Sequence, residues 1–287
     1  MTNLRRAERQ DAPALEAFLA EYSDTSMFLR GNLAAHGIGN TTHPHGTTYW
    51  LADEGVVACS NSGFLMCQAP QGGLAFWQAA TRAIEGREIQ GITGVPEQVD
   101  AWLAALGLLP ELFSLKRTEP LYRLDLADLR APDLTDLHLR TPDTADVSMV
   151  REWFAGYALD TGLAAGATDW ASGATAAFMA NDAARLLEKG GAPVAMASLN
   201  ARVADTVQVG GVYVPRDLRG QGLGGAIVAA QLRQLRAGGV TRAVLFAASS
   251  AAAQVYERIG FDQVGRYEIA VLRTPLTVER TSDVFPT

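Results

Sequence analysis

Two periods alternate along the chain. Pro193 to Arg202 and Thr206 to Val214 read as two antiparallel strands joined by a turn near Ala204-Asp205. Leu223, Ile227, Val228, Leu232 and Leu235 then form a helical stripe, which Gly238-Gly239 stops. Arg242 to Ala247 reads as a short buried strand. Ser249 or Ser250 opens a further helix that ends at Gly260, and a strand follows from Phe261 through Tyr267 to Arg273. Upstream, Trp153 to Asp160 and Ser172 to Asn181 read as helices around a Gly/Ala/Asp loop from Leu163 to Trp170. In the first half, Tyr49 to Met66 reads as two strands around Asp53-Glu-Gly55. Pro70-Gln-Gly-Gly73 opens a helix from Leu74 to Ile84, and Leu121 to Leu126 reads as a strand. Pro275 to Thr287 reads as a tail with little core. Strands interleaved with helices of this length make an α/β protein.

The pattern occurs twice. Leu4 to Tyr22 matches Leu139 to Tyr157 at an offset of 135, with Leu4 on Leu139, Arg5 on Arg140, Asp11 on Asp146, Phe18 on Trp153 and Tyr22 on Tyr157. Gly94 to Leu108 matches Ala247 to Phe261 at an offset of 153, each a strand end, a helix and an apolar-Gly-apolar triplet. Two tandem copies of one unit explain both matches. The Pro-containing polar stretch Leu129 to Asp136 predicts the boundary, giving domains 1–130 and 136–287. At the 153 offset, Met66 stands for Arg219 and Leu103 for Tyr256, so the first copy is expected to keep the architecture and lose the chemistry.

Composition removes several classes. The 287 residues are 48% hydrophobic and 19% charged, enough for two cores. A net charge of −7 argues against a general nucleic-acid binder. No charge-free apolar run reaches the length of a membrane span, and the N-terminus has no apolar signal region, so a cytoplasmic location is expected. Cys59 and Cys67 read as free thiols. The four histidines do not cluster at a metal spacing, although His43-Pro-His45 has a ligand-like look, so no metal is expected. The oligomeric state is open.

The chemistry concentrates in Val209 to Gly225, VGGVYVPRDLRGQGLGG. A strand ends at Pro215, a glycine-rich turn follows, and a helix begins. Converging backbone N–H groups and the helix dipole make such a turn an anion site. Gly220, Gly222 and Gly225 spell the dinucleotide pattern, but Pro-Arg-Asp-Leu-Arg separates the strand from the first glycine. No acid for a ribose occurs from Leu218 to Tyr256, where four arginines do. A P-loop lacks its Gly-Lys-Ser/Thr. The competing pattern is Arg-x-x-Gly-x-Gly, met by Arg219, Gly222 and Gly224.

That stretch resembles motif A of the GCN5-related N-acetyltransferases (GNAT), which binds the pyrophosphate of acetyl-CoA. The resemblance is specific from about Pro193 to Tyr267, weaker back to Leu139, and architectural in the first half. It implies two tandem GNAT-like units, each a mixed, mostly antiparallel sheet flanked by helices. It also implies an acetyl-CoA-dependent N-acyltransferase acting on a primary amine of a small molecule or peptide. The strand residues Val212, Tyr213 and Val214 would meet the pantetheine arm. Arg219, Gly220, Gln221, Gly222, Leu223, Gly224 and Gly225 would hold the pyrophosphate. Tyr256-Glu-Arg-Ile-Gly-Phe261 matches the setting of the family's thiolate-protonating tyrosine. Ser249 stands where the family often has an Asn that bonds the arm, and it also suits a helix cap. The strand before the loop has no carboxylate, so the family's usual base is missing; Glu152, Asp160 and Glu268 are available, each with the look of a solvated surface charge. Two other readings stay open: a CoA-binding sensor or interaction protein without turnover, and a tandem transferase of the mycothiol-synthase sort.

Overall fold

The computed structural model describes residues 3–130, 132–162 and 170–279. Among them the chain forms twelve strands and eight α-helices. The first half runs β1 (Arg5–Arg6), α1 (Ala12–Glu21), α2 (Met27–His36), β2 (Thr47–Ala52), β3 (Gly55–Ser60), β4 (Phe64–Gln68), α3 (Leu74–Ala83), β5 (Glu88–Gly94), α4 (Pro96–Leu106) and β6 (Phe113–Asp125). The second runs β7 (Leu137–Arg140), α5 (Val147–Thr161), α6 (Trp170–Met179), β8 (Arg185–Lys189), β9 (Ala192–Val203), β10 (Thr206–Tyr213), α7 (Leu223–Ala237), β11 (Arg242–Phe246), α8 (Ser250–Arg258) and β12 (Asp262–Thr277).

The two compact units are not consecutive halves. Unit 1 takes the chain up to Thr118 and again from Arg266; unit 2 runs from Glu119 to Gly265. This differs from the boundary at 130–136 expected from composition. The physical reason is an exchange of closing strands. In unit 1 the order is β1-β2-β3-β4-β5-β12, with β12 antiparallel to β5 through Glu268 opposite Gly94 and Val271 opposite Gly91. In unit 2 the order is β6-β11-β10-β9-β8-β7, with β6 antiparallel to β11 through Leu121 opposite Phe246 and Asp125 opposite Arg242. In each unit one pair is parallel, β4 with β5 and β10 with β11. Each sheet buries both faces. In unit 1, α3 and α4 pack Phe76, Trp77 and Trp102 on one side, and α1 and α2 pack Leu19 and Leu29 on the other. In unit 2, α7 and α8 cover one face with Ile227, Val228 and Ile259, and α5 and α6 cover the other with Val150, Phe154 and Phe178.

The repeat holds at the level of single bonds. Arg5 grips both oxygens of Asp11 at 2.7 Å, and Arg140 grips Asp146 at 2.6 and 2.8 Å. Each aspartate also accepts the N–H three residues upstream, of Glu8 and Asp143, at 2.8 Å. The carboxylate thus ties the first strand to the start of the first helix in both copies. At the other match, Leu108 N–H bonds Leu103 O and Phe261 N–H bonds Tyr256 O, both at 3.1 Å, around Gly107 and Gly260 at φ 67° and 108°. This is the same αL helix ending.

Three expectations are corrected. Tyr49 to Met66 holds parts of three strands, because a second turn at Asn61–Gly63 follows the one at Asp53-Glu54. Met66 lies inside β4, paired with Ala58 and Thr93, and is not the counterpart of Arg219. The 153 offset fails there because the strand-to-helix connection is only residues 69–73 in unit 1, against 214–222 in unit 2. Pro275 is no tail: β12 reaches Thr277 and Val278 is buried; residues 280–287 lie outside the described residues, as does most of the expected loop at 163–170.

Candidate functional site

The site is built on a fork in the sheet of unit 2. β10 pairs in parallel with β11 only through Thr206, Val207 and Gln208, opposite Arg242, Ala243 and Val244. On its other edge β10 stays paired with β9 but slips register after Gln208 and again between Gly210 and Tyr213. Gly211 takes φ 61° at this bulge, a conformation that costs other residues strain. The bend turns β10 away from β11. Among the described residues, the β11-facing edge from Val209 to Tyr213 has no strand partner, so its N–H and C=O groups are open to an extended ligand. Val212 and Tyr213 sit along this edge, and Val214 follows just past the end of β10.

The glycine turn lies at the end of the open strand. Gly220 and Gly222 hold φ 80° and 76°, and α7 begins at Leu223. The first N–H of this region with an internal backbone acceptor is that of Ala226, bonded to Gly222 O at 3.0 Å. Among the described residues, the N–H groups of Gly220, Gln221, Gly222, Leu223, Gly224 and Gly225 donate to nothing else, which leaves a cluster of donors at a helix N-terminus. A Cβ on Gly225 would stand 3.0 Å from Val255 of α8, so its smallness lets α7 and α8 meet.

Arg219 does not point into this cluster. Its Nε donates to Val214 O at 3.0 Å, its Nη2 donates to Asp160 of α5, and its guanidinium lies 5.5 Å over the ring of Tyr213. Arg216 donates to the same carboxylate. Asp160 is exposed but doubly paired, so it is not a free solvated charge. The Arg219 hydrogen bond, helped by Arg216, holds its carboxyl below the usual range. That makes it a poor proton acceptor. Glu268 is not a surface charge: it is 3% exposed, in unit 1, between Lys116 at 2.7 Å and Thr118 at 2.8 Å. Glu152 is exposed.

Tyr256 is 7% exposed on α8, its ring 6.0 Å from Phe261. Among the described residues its hydroxyl makes no hydrogen bond. Burial first, then Tyr157 and Glu119, push its phenol above the ordinary range, so it stays protonated at neutral pH. Ser249 is the N-cap of α8, accepting the Ala252 N–H at 3.2 Å.

Sequence reasoning missed an aromatic group on α5 and α6. Tyr157 stacks on Trp170 at 6.3 Å and meets Tyr213 edge-on at 6.5 Å, and Phe154 meets Trp170 at 6.0 Å. The Tyr22/Tyr157 match was the only signal for Tyr157, and it spoke of the repeat alone.

Among the described residues, unit 1 differs at the corresponding place. Its short connection has no room for the glycine loop. The Ala69 N–H at the end of β4 is taken by the Gln98 side chain at 2.7 Å, and Leu103 stands for Tyr256. Two surface hollows of about 400 and 410 Å³ lie in unit 1, around Arg9, Ile38 and Gly39. Both cysteines are free and buried, and burial pushes Cys67 up to about 12. Among the described residues no group of three or more His, Cys, Asp or Glu is placed to hold a metal ion, and no helix is long and apolar enough to cross a membrane.

Residues 148–261 match the model of the acetyltransferase (GNAT) family, and this span holds the fork, the loop and Tyr256. This part of the chain is a GNAT domain. No curated protein matches the chain by sequence. Among solved structures, a Drosophila protein is 14% identical with a TM-score of 0.64, covering 95% of this chain and 99% of its own. A GCN5-related N-acetyltransferase from Kribbella flavida is 20% identical with a TM-score of 0.53, covering 87% and 94%. A tandem GNAT protein from the clavulanic acid biosynthesis pathway is 16% identical with a TM-score of 0.52, covering 96% and 100%. At these identities the likeness is one of fold, and it extends over both units. The GNAT fold supports acyl transfer from an acyl-CoA.

Proposed function

We propose that unit 2 transfers an acetyl or similar acyl group from CoA to a primary amine, and that unit 1 is a degenerate copy that binds no CoA. The observation that carries this reading is the fork itself. An open strand edge, a donor-lined helix N-terminus and a protonated phenol adjoin in unit 2, whereas in unit 1 the strand-to-helix connection is shorter, Gln98 takes the Ala69 N–H and Leu103 stands for Tyr256. The pantetheine arm would pair with the open edge of β10 at Val212 and continue to the N–H of Val214, just past it. The pyrophosphate would take the N–H groups of Gly220 to Gly225. Tyr256 would hand its proton to the departing thiolate. Ser249 serves the helix cap, and Arg219 braces the loop against Tyr213 and Asp160. The thioester is already activated, so placement, polarisation by backbone N–H groups and one proton donor supply most of what the reaction needs.

Calorimetric titration of acetyl-CoA into the whole chain tests this. One site is expected, and it should vanish in Gly222→Asp. Asp tolerates the αL backbone but places a carboxylate against the phosphates. No binding by the native chain, or full binding by Gly222→Asp, refutes the assignment. A panel of primary amines, read by release of free thiol, then tests the reaction.

A further inference from the structure

The fork in unit 2 faces a carboxylate that the sequence reading did not consider. Ala247, just past β11, donates its N–H to Pro120 O at 3.1 Å. Glu119 stands one residue beyond that bond, past the end of β11 and beside the gap where β10 has turned away. Side chains alternate along a strand. Tyr122 and Leu124 are buried with Tyr256 under α7 and α8, and Tyr122 donates to Glu257 of α8 at 2.8 Å. Glu119, Leu121 and Arg123 therefore face the side that α5 covers. Glu119 is half-buried there. Tyr256 comes from α8 on the opposite face, yet the ionisable groups that act on its phenol are Tyr157 of α5 and Glu119 of β6. A phenol and a carboxylate thus flank the gap from opposite faces.

Unit 1 supplies an internal control. Gly94 is the counterpart of Ala247 and lies opposite Glu268 of β12. Glu268 therefore corresponds to Pro120, and Tyr267 to Glu119. Tyr267 is buried and packs on Phe28 of α2 at 6.1 Å. Leu103 corresponds to Tyr256. The acid and the carboxylate occur together in unit 2 and are replaced together in unit 1, whereas Tyr157 keeps its counterpart Tyr22.

We propose that Glu119 is the general base of unit 2, taking a proton from the acceptor nitrogen on the α5 side of the gap. This rests on the acyl-transfer reading above. Glu119 takes a proton from the acceptor ammonium, and the lone pair this frees forms the N–C bond to the thioester carbonyl carbon as the C–S bond breaks. Tyr256 gives its proton to the sulfur and is restored by the second nitrogen proton, directly or through water. Glu119 releases its proton to solvent, so the products are the amide, free CoA and one proton. This also accounts for the lack of a carboxylate on β10, since the base comes from β6.

The test compares Glu119→Gln in the full chain with the native protein on two acceptors. One is a basic primary amine that the native chain accepts; the other is hydroxylamine, already unprotonated at pH 7. A lost base should lower kcat/KM for the basic amine by about 100-fold or more, and by less than about fivefold for hydroxylamine. Glu119→Asp should recover part of the loss, and acetyl-CoA affinity should stay within about twofold. Equal losses on both acceptors would make Glu119 a positioning residue and overturn the proposal. Unchanged kcat/KM on both would remove it from the reaction. Failure of the native chain to bind acetyl-CoA would refute the underlying function instead, and is seen before any variant is made.

Discussion

Replacing Tyr256 by Phe separates chemistry from packing. The ring is buried among α7, α8 and β6, so Phe keeps its contacts with Phe261 and its neighbours. The hydroxyl makes no hydrogen bond among the described residues, so its removal strands no partner. A buried hydroxyl without a partner costs roughly 1–3 kcal/mol, and one at the edge of a cleft costs less. The variant should therefore be as stable as the native chain or slightly more so, by up to about 1 kcal/mol, which is a rise of about 2–4 °C in Tm. Turnover should behave oppositely. A general acid contributes about 10²- to 10⁴-fold, or about 3–5 kcal/mol in the barrier. Acetyl-CoA affinity should not change, because the phenol acts on the leaving sulfur only as the bond breaks. Because burial holds the phenol above its ordinary range, it should add no alkaline limb to the rate near neutral pH. Differential scanning fluorimetry, calorimetric titration and thiol release give the three readouts. Native turnover in Tyr256→Phe with every accepted amine would refute the acid role; a large loss of stability would show that the hydroxyl has a structural partner.

Other perturbations test separate parts. Gly222→Ala puts a Cβ into open space but at φ 76°, so it should cost about 1–2 kcal/mol through the backbone and weaken acetyl-CoA about tenfold, while Gly222→Asn should recover much of both; melting and titration decide. Asp160→Asn removes the carboxylate that neutralises Arg216 and Arg219; acetyl-CoA should bind about threefold tighter at low salt, with the gain shrinking as salt rises, and weaker binding would mean that Asp160 is needed to place the arginines. Asp146→Asn breaks the paired contact to Arg140 and should cost about 1–3 kcal/mol. Its carboxyl is held below the usual range by the Arg140 hydrogen bond. The stability it contributes is therefore present above the unfolded pKa and is lost as pH falls through the folded value, so acid melts of native and Asn forms should converge.

The elements that sequence made legible are those whose physics is local. The Arg5/Asp11 and Arg140/Asp146 pairs lie six residues apart, and the αL glycines at 107 and 260 follow their own helices, so both repeats were visible. The glycine loop is also local, and its αL glycines and open N–H groups lie where the pattern put them. Connections of different length broke the alignment at Met66, because one offset cannot span an insertion. Asp160 looked like a surface charge because the arginines that hold it are 56 and 59 residues away. Glu119 was invisible for the same reason: its place is fixed by β6 lying beside β11, a pairing that spans 121 residues between Arg123 and Val244 and that no periodicity announces.

That pairing sets a limit on how the chain can be divided. A cut at the Pro-containing stretch 130–136 looks natural from composition. The N-terminal fragment would then lack β12 and the residue after it, which give unit 1 the buried Ala270, Leu272 and Val278. The C-terminal fragment would lack β6 and the turn after it, which give unit 2 Tyr122, Leu124 and Leu126. At about 1.5–3 kcal/mol for each large buried side chain, the second loss is on the order of 5–8 kcal/mol, comparable to the whole stability of a domain. It would also expose the edge of β11 along Arg242–Phe246. Neither fragment should fold alone, and the two co-expressed should fold together, each strand returning to its sheet. Circular dichroism and heteronuclear NMR of the separate and co-expressed fragments check this. A C-terminal fragment that is folded on its own and binds acetyl-CoA at native affinity would show that β6 is dispensable to unit 2. If such a fragment also turned over its amine at the native rate, Glu119 would be removed from the catalytic machinery as well.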